Sequence, residues 1–175
     1  MRTRGFTLIE MMVVIAITGL LLASGAPMVA EMRANSQIRG VAEQVRDGLN
    51  TARMEAIRRN TTINFVPNGT GWSVVAPAVG ATAAVTLVTR TPYAAESAFA
   101  ATPNTTQATT PIAFNGSGRI TTAVPSNVYT IQVTQPDGTC VAAGGNVRCL
   151  NVKALKGGEV RMCDPAQASS KPEGC

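Results

Sequence analysis

The chain has 175 residues, a formal side-chain charge of +5 and no histidine. That length accommodates one globular domain of about 110–120 residues after a long N-terminal helix. The lack of histidine removes Ser-His and Cys-His dyads, and the modest positive charge permits an anionic partner without requiring one.

The chain opens with two arginines, Arg2 and Arg4, before Gly5. An apolar run from Phe6 to Ala30 follows, with Glu10 as its one charge, and no side chain ionises between Met11 and Ala30. At about 1.5 Å per residue, a helix of that length spans the roughly 30 Å hydrocarbon core of a bilayer. A carboxylate at the start of such a run is costly in lipid and marks a functional candidate. An ordinary secretory signal would use Ala23-Ser24-Gly25-Ala26 as its cleavage site, but Pro27 follows directly, the run is too long, and Glu10 interrupts its start. A plain single-pass anchor explains the length and the cytoplasmic Arg2 and Arg4, but neither Gly5 nor Glu10.

From Glu31 to Asn60 the pattern becomes amphipathic. Ile38, Val41, Ala42, Val45, Leu49, Ala52, Ala56 and Ile57 recur at helical spacing, and Arg39, Glu43, Arg46, Asp47, Arg53 and Arg58 fill the rest. This predicts one long helix from near Phe6 to near Arg59. Pro27 removes a backbone donor within it and predicts a kink or local melting.

After Asn60 the pattern is β. Strands are expected at Thr62–Val66, Trp72–Ala76 and Ala84–Arg90, with Pro67-Asn68-Gly69-Thr70-Gly71 as turn chemistry. Thr91–Thr110 has little periodicity and is expected to be a surface loop. Pro111–Phe114 and Arg119–Thr122 flank Asn115-Gly116-Ser117-Gly118, a hairpin pattern. Further strands are expected at Val128–Gln135, Thr139–Ala142, Asn146–Val152 and Glu159–Cys163.

The cysteines are Cys140, Cys149, Cys163 and Cys175. An even count clustered at one end of an exported chain points to disulfides. Zinc is the rival, but there is no Cys-x-x-Cys pair and no histidine. Gly144-Gly145 as a two-residue hairpin turn would set Cys140 opposite Cys149, at a non-hydrogen-bonded position with Cα atoms about 4.5 Å apart. That favours Cys140–Cys149 with Cys163–Cys175; the alternative is Cys149–Cys163 with Cys140–Cys175.

The string Gly5-Phe6-Thr7-Leu8-Ile9-Glu10 resembles the processing site of type IV pilins and type II secretion pseudopilins. The resemblance implies that prepilin peptidase cuts after Gly5 and methylates Phe6. It implies that Glu10 pairs with an N-terminal amine during assembly, and that the helix melts around Pro27 in filaments. Asn50–Asn60 is similar to the "ARSEAIKRN" segment of the GspH/FimT group. Trp72, Phe114-Asn115-Gly116 and Gly157–Cys163 extend the resemblance over nearly the full length. It implies an α+β, type IV pilin-like fold, with a long N-terminal transmembrane and amphipathic helix packed on an antiparallel β-sheet domain. The implied organisation is a cleaved leader 1–5, a transmembrane segment 6–30 and a periplasmic domain 31–175. The implied place is the bacterial inner membrane, then a pilus or pseudopilus. The implied partners are other minor and major pilins or pseudopilins, prepilin peptidase and an inner-membrane assembly platform.

Some FimT-type members carry a C-terminal Gly-Arg-x-Arg motif implicated in DNA binding. Here Gly158-Glu159-Val160-Arg161 stands in its place, with glutamate for the first arginine. Arg148, Lys153, Lys156 and Arg161 still offer cations to a phosphate. No cofactor, metal or catalytic group is expected. Gly69-x-Gly71 is a fragment without a following helix, and Glu96, Asp137, Glu159, Asp164 and Glu173 are scattered. Asn60-Thr61-Thr62, Asn68-Gly69-Thr70 and Asn104-Thr105-Thr106 match the glycosylation pattern at a rate expected in a Thr-rich chain. Three functions follow: a minor pilin at a type IV pilus tip or priming complex, the equivalent pseudopilin of a type II secretion system, or a pilus-displayed DNA-binding subunit.

Overall fold

The computed structural model describes residues 7–68, 71–90, 102–104, 111–122, 127–134 and 139–175. The chain divides into two compact units, Met1–Ala34 and Asn35–Cys175. Helix α1, Leu8–Arg59, runs through Pro27 without a break, so the missing proline N–H does not end it.

In the first unit the described apolar side chains find no core. Leu8, Ile15, Leu20 and Leu22 are all more than 65% exposed. The Thr18 hydroxyl donates to the Val14 carbonyl at 2.7 Å, which satisfies it within the helix. Among the described residues, no helix is long and apolar enough to cross a membrane.

The second unit is an α+β domain with two antiparallel sheets. Strands β1 (Ile63–Asn68), β2 (Gly71–Ala76), β3 (Val85–Arg90) and β5 (Ile112–Phe114) form one, in the order β3-β2-β1-β5. Strands β4 (Thr102–Asn104), β6 (Val128–Thr134), β7 (Leu150–Leu155) and β8 (Val160–Cys163) form the other, in the order β4-β6-β7-β8. Ile38, Val45, Leu49, Ala52 and Ala56 from α1 share one core with Phe65, Val74, Ile112 and Phe114 of the first sheet and Tyr129, Ile131, Val133 and Val152 of the second. The three- and four-residue spacing on α1 thus becomes the buried stripe.

Several expectations change in detail. Ile57, placed on the stripe by spacing, is 47% exposed and lies at its edge. Of the turn expected over Pro67–Gly71, Pro67 pairs with Trp72 and Asn68 with Gly71 as strand residues, and 69–70 lie outside the described residues. Most of the Thr91–Thr110 loop is also outside them, but Thr102–Asn104 is a strand on the edge of β6. A three-residue edge strand needs no alternation of its own, because its partner supplies the ladder. Arg119–Thr122 makes only a single bridge, Phe114 to Ile120, rather than a strand.

The Gly144-Gly145 hairpin does not form. Val141–Ala143 is a 3-10 turn closed by Gly144 at φ 83°. The Cys140 carbonyl accepts from the Ala143 and Gly145 amides, and Cys140 bridges Val147 in parallel sense. Gly144, in the left-handed region, caps a chain that curls back on the Cys140 carbonyl, instead of reversing across Gly144-Gly145 with paired flanking strands.

Candidate functional site

Three places carry the sequence's candidate residues: the start of α1, the end of α1, and the face of β7 and β8. Gly5 and Phe6, the candidate cleavage and methylation residues, lie outside the described residues. The described chain begins at Thr7, and there the sequence Thr7-Leu8-Ile9-Glu10 makes a reciprocal cap. The Glu10 amide donates to the Thr7 hydroxyl at 3.3 Å, and the Thr7 amide donates to a Glu10 carboxylate oxygen at 3.5 Å. Two otherwise orphaned helix-start donors are thereby satisfied, and the carboxylate sits at the positive end of the helix dipole. The Thr-x-x-Glu spacing before an apolar run is a capping signature, and it identifies Thr7 as the partner that sequence reasoning missed.

At the other end, α1 terminates in a Schellman arrangement. Asn60 adopts φ 48°, its amide donates to Ile57, and the Thr61 amide donates to Ala56. Glu55 accepts from Arg58 at 2.6 Å and Arg59 at 2.8 Å. These hydrogen bonds hold its carboxyl below the usual glutamate range. Asn60 packs on Gly116, and Gly158, at φ 88°, packs on the Gly118 carbonyl with the Arg53 Nε alongside. The Ile120 amide donates to Lys156 across the same junction. The segments that carry the GspH/FimT resemblance, 52–60, 114–116 and 157–158, therefore meet in one place.

On the second sheet, the four cations differ in their surroundings. Arg148 Nε donates to Asp164 Oδ2 at 2.9 Å, and Asp164 is buried. Asp164 Oδ1 accepts from the Ala166 amide at 2.9 Å, so Arg148 completes the pairing of a buried carboxylate. Lys153 Nζ donates to a main-chain oxygen of Cys175 at 3.2 Å. Arg161 lies 3.9 Å from Glu159 and faces Lys153 directly across the strands. Lys156 is exposed at the β7–β8 turn. The disulfides present are Cys140–Cys149 and Cys163–Cys175, with Cα separations of 5.4 and 5.1 Å. The first is compatible with the 3-10 turn as well as with the expected hairpin, because either geometry brings the two Cα atoms within disulfide reach. Among the described residues, no group of acidic, cysteine or histidine side chains could hold a metal ion.

Comparison with known proteins adds the following. The family model described as "Type II transport protein GspH" matches residues 41–158, and the "Prokaryotic N-terminal methylation motif" matches residues 1–26. Two crystal forms of the type IV minor pilin FimU from Pseudomonas aeruginosa strain PAO1 share the fold. The P65 form is 21% identical with TM-score 0.53, covering 78% of this chain and 98% of that one. The P21 form is 20% identical with TM-score 0.56, covering 81% and 96%. No curated protein matches the chain. With the family model covering about two-thirds of its length and the methylation motif at its start, this chain belongs to the GspH family of pilin-like proteins, which are structural and not enzymes.

Proposed function

We propose that the chain is a minor pilin that is cut after Gly5, methylated on Phe6 and held in the bacterial inner membrane through 6–30 before it joins the tip or priming complex of a type IV pilus. One observation carries this reading. The exposed apolar side chains of Leu8–Leu22 follow directly on a capped helix start bearing the segment's one acid, Glu10. An apolar surface of that extent belongs against lipid or against like helices. Prepilin peptidase, the assembly platform and neighbouring pilins are the partners this role requires. Assembly in the filament is also where melting or kinking at Pro27 would occur.

The matching GspH model favours a second reading, the equivalent pseudopilin of a type II secretion system. The two differ in machine and not in subunit physics, so adjacent pilus-tip or secretion genes discriminate them. The DNA-binding reading has less support, since Arg148 and Lys153 are engaged within the chain. Mass spectrometry of protein recovered from membranes tests the proposal. It should show Phe6 as an N-methylated terminus; an intact Met1, or cleavage near Ala26, overturns it.

A further inference from the structure

Between Asn35 and Arg59, helix α1 carries five arginines. Four of them meet an acid on the helix itself: Arg39 pairs with Glu43, Arg46 with Asp47, and Arg58 and Arg59 with Glu55. Arg53 pairs with nothing among the described residues. Glu55 cannot serve it, because residues two apart point to different faces of a helix. The Arg53 Nε is buried with no hydrogen-bond acceptor, whereas the side chain as a whole is half-buried, so its Nη end reaches the surface. A guanidinium only donates and is always charged, and a buried donor without an acceptor is costly to keep.

Two glycines hold that side chain in place. A Cβ on Gly118 would stand 3.1 Å from Arg53 Nε, and one on Gly158 would stand 3.0 Å from it. Both glycines are buried and left-handed, at φ 74° and 88°, so the backbone closes on the arginine where no side chain fits. The guanidinium is therefore positioned before any partner arrives. Its rim is apolar. Ile57 Cδ1 would lie 2.7 Å from the same Cβ on Gly118; Ile57 is half-exposed, and Met54, one turn before it, is exposed. A single fixed cation inside an apolar rim is the composition of a protein–protein anchor, where arginine is enriched and its neighbours exclude water. Nucleic acid calls instead for cations spread along a surface. The guanidinium fork fits the two oxygens of a carboxylate, which offsets its charge.

We propose that Arg53, Met54 and Ile57 form a docking patch for a neighbouring filament subunit, with the Arg53 guanidinium receiving one of that subunit's carboxylate side chains. This rests on the filament role proposed for the chain and adds the chemistry of the contact: one acid flanked by apolar side chains. Nothing in the patch depends on whether the filament is a pilus or a pseudopilus.

Sheared filaments from cells expressing the full chain test it, with the membrane fraction of the same cells as reference. Arg53→Glu should lower filament recovery about tenfold or more, the scale of replacing a desolvated charge pair by like charges. Arg53→Gln should lower it several-fold, and Arg53→Lys should fall short of wild type because an ammonium lacks the fork. All three should keep wild-type membrane levels, an N-methylated Phe6 and the wild-type melting temperature. In cells carrying Arg53→Glu, screening randomised companion subunits for restored recovery should return an acid replaced by lysine or arginine. Equal recovery of wild type and Arg53→Glu overturns the docking patch and leaves the filament role standing, as does restoration by substitutions that change no acid. A lowered melting temperature in Arg53→Gln overturns it too, because the arginine is then structural. Binding of a short DNA duplex that Arg53→Gln abolishes assigns the cation to nucleic acid and overturns it. Wild-type protein absent from filaments overturns the filament role and this proposal with it.

Discussion

Glu10 shows how one residue serves two demands. In the described chain its carboxylate caps α1 through the Thr7 amide. Under the proposed function it also enters a layer of apolar helices in a filament, where an unpaired carboxylate costs several kcal/mol. The methylated amine of Phe6, in the same or a neighbouring subunit, is the compensating charge under the proposed function. Arg33 is a poor substitute, about 35 Å along the helix by the usual rise. Glu10→Val should leave membrane insertion and cleavage intact yet lower recovery from sheared filaments; wild-type recovery would refute the pairing. Glu55 carries a different prediction. Its carboxyl is held low in the folded state by Arg58 and Arg59, so the stabilisation is present above the unfolded glutamate pKa. It is lost as pH falls through the lower folded value. The melting-temperature difference between wild type and Glu55→Gln should therefore be small at pH 7, within about 1 kcal/mol of stability for a surface pair, and should vanish in strong acid. A difference that grows on acidification would contradict this sign.

At the scale of elements, helix α1 is positioned by close approach as much as by its stripe. Gly48 lies under the Trp72 ring, and a Cβ there would stand 2.8 Å from the ring carbons and 2.9 Å from Phe65. Phe65 and Trp72 themselves stack with centroids 5.4 Å apart, so neither ring can yield independently. Gly48→Ala should cost about 1–3 kcal/mol despite alanine's better helix propensity, and a denaturant titration would measure it. The stripe itself makes a graded prediction. Leu49 is fully buried, whereas Ile57 is nearly half exposed. Leu49→Ala should cost about 2–5 kcal/mol and Ile57→Ala distinctly less. Leu49→Asp should abolish the cooperative circular dichroism melt. Equal losses at Leu49 and Ile57 would mean the helix is rotated from the face described. The strands were legible where alternation was strong, as in Val128–Thr134, where Tyr129, Ile131 and Val133 are buried. Thr102–Asn104 was not, because a short edge strand borrows its order from its neighbour. Ile57 was misplaced because spacing alone does not say where the sheets stop covering the helix.

For the whole molecule, two disulfides close short loops, with sequence separations of 9 and 12. Chain-entropy reasoning gives each about 2.5–3 kcal/mol against the unfolded state. Non-reducing peptide mapping should recover Cys140 linked to Cys149 and Cys163 linked to Cys175, and the crossed pairing would overturn the arrangement around β7 and β8. By itself, the sequence determined the class of this protein. Basic start, glycine, apolar run and acid are local features, and their meaning depends on lipid and helix geometry rather than on distant contacts. It also determined the buried face of α1 up to Ala56, since periodicity is a property of the helix alone. Only the tertiary structure decided that the β domain is two sheets, that the Cys140–Cys149 loop is a 3-10 turn, and that 52–60, 114–116 and 157–158 share one junction. It also decided the state of the cations. Arg148 and Lys153 are charges in the sequence, but their partners Asp164 and Cys175 reach them only when residues 164–175 fold back over β7 and β8. Charge is written locally, whereas its neutralisation depends on contacts between residues distant along the chain.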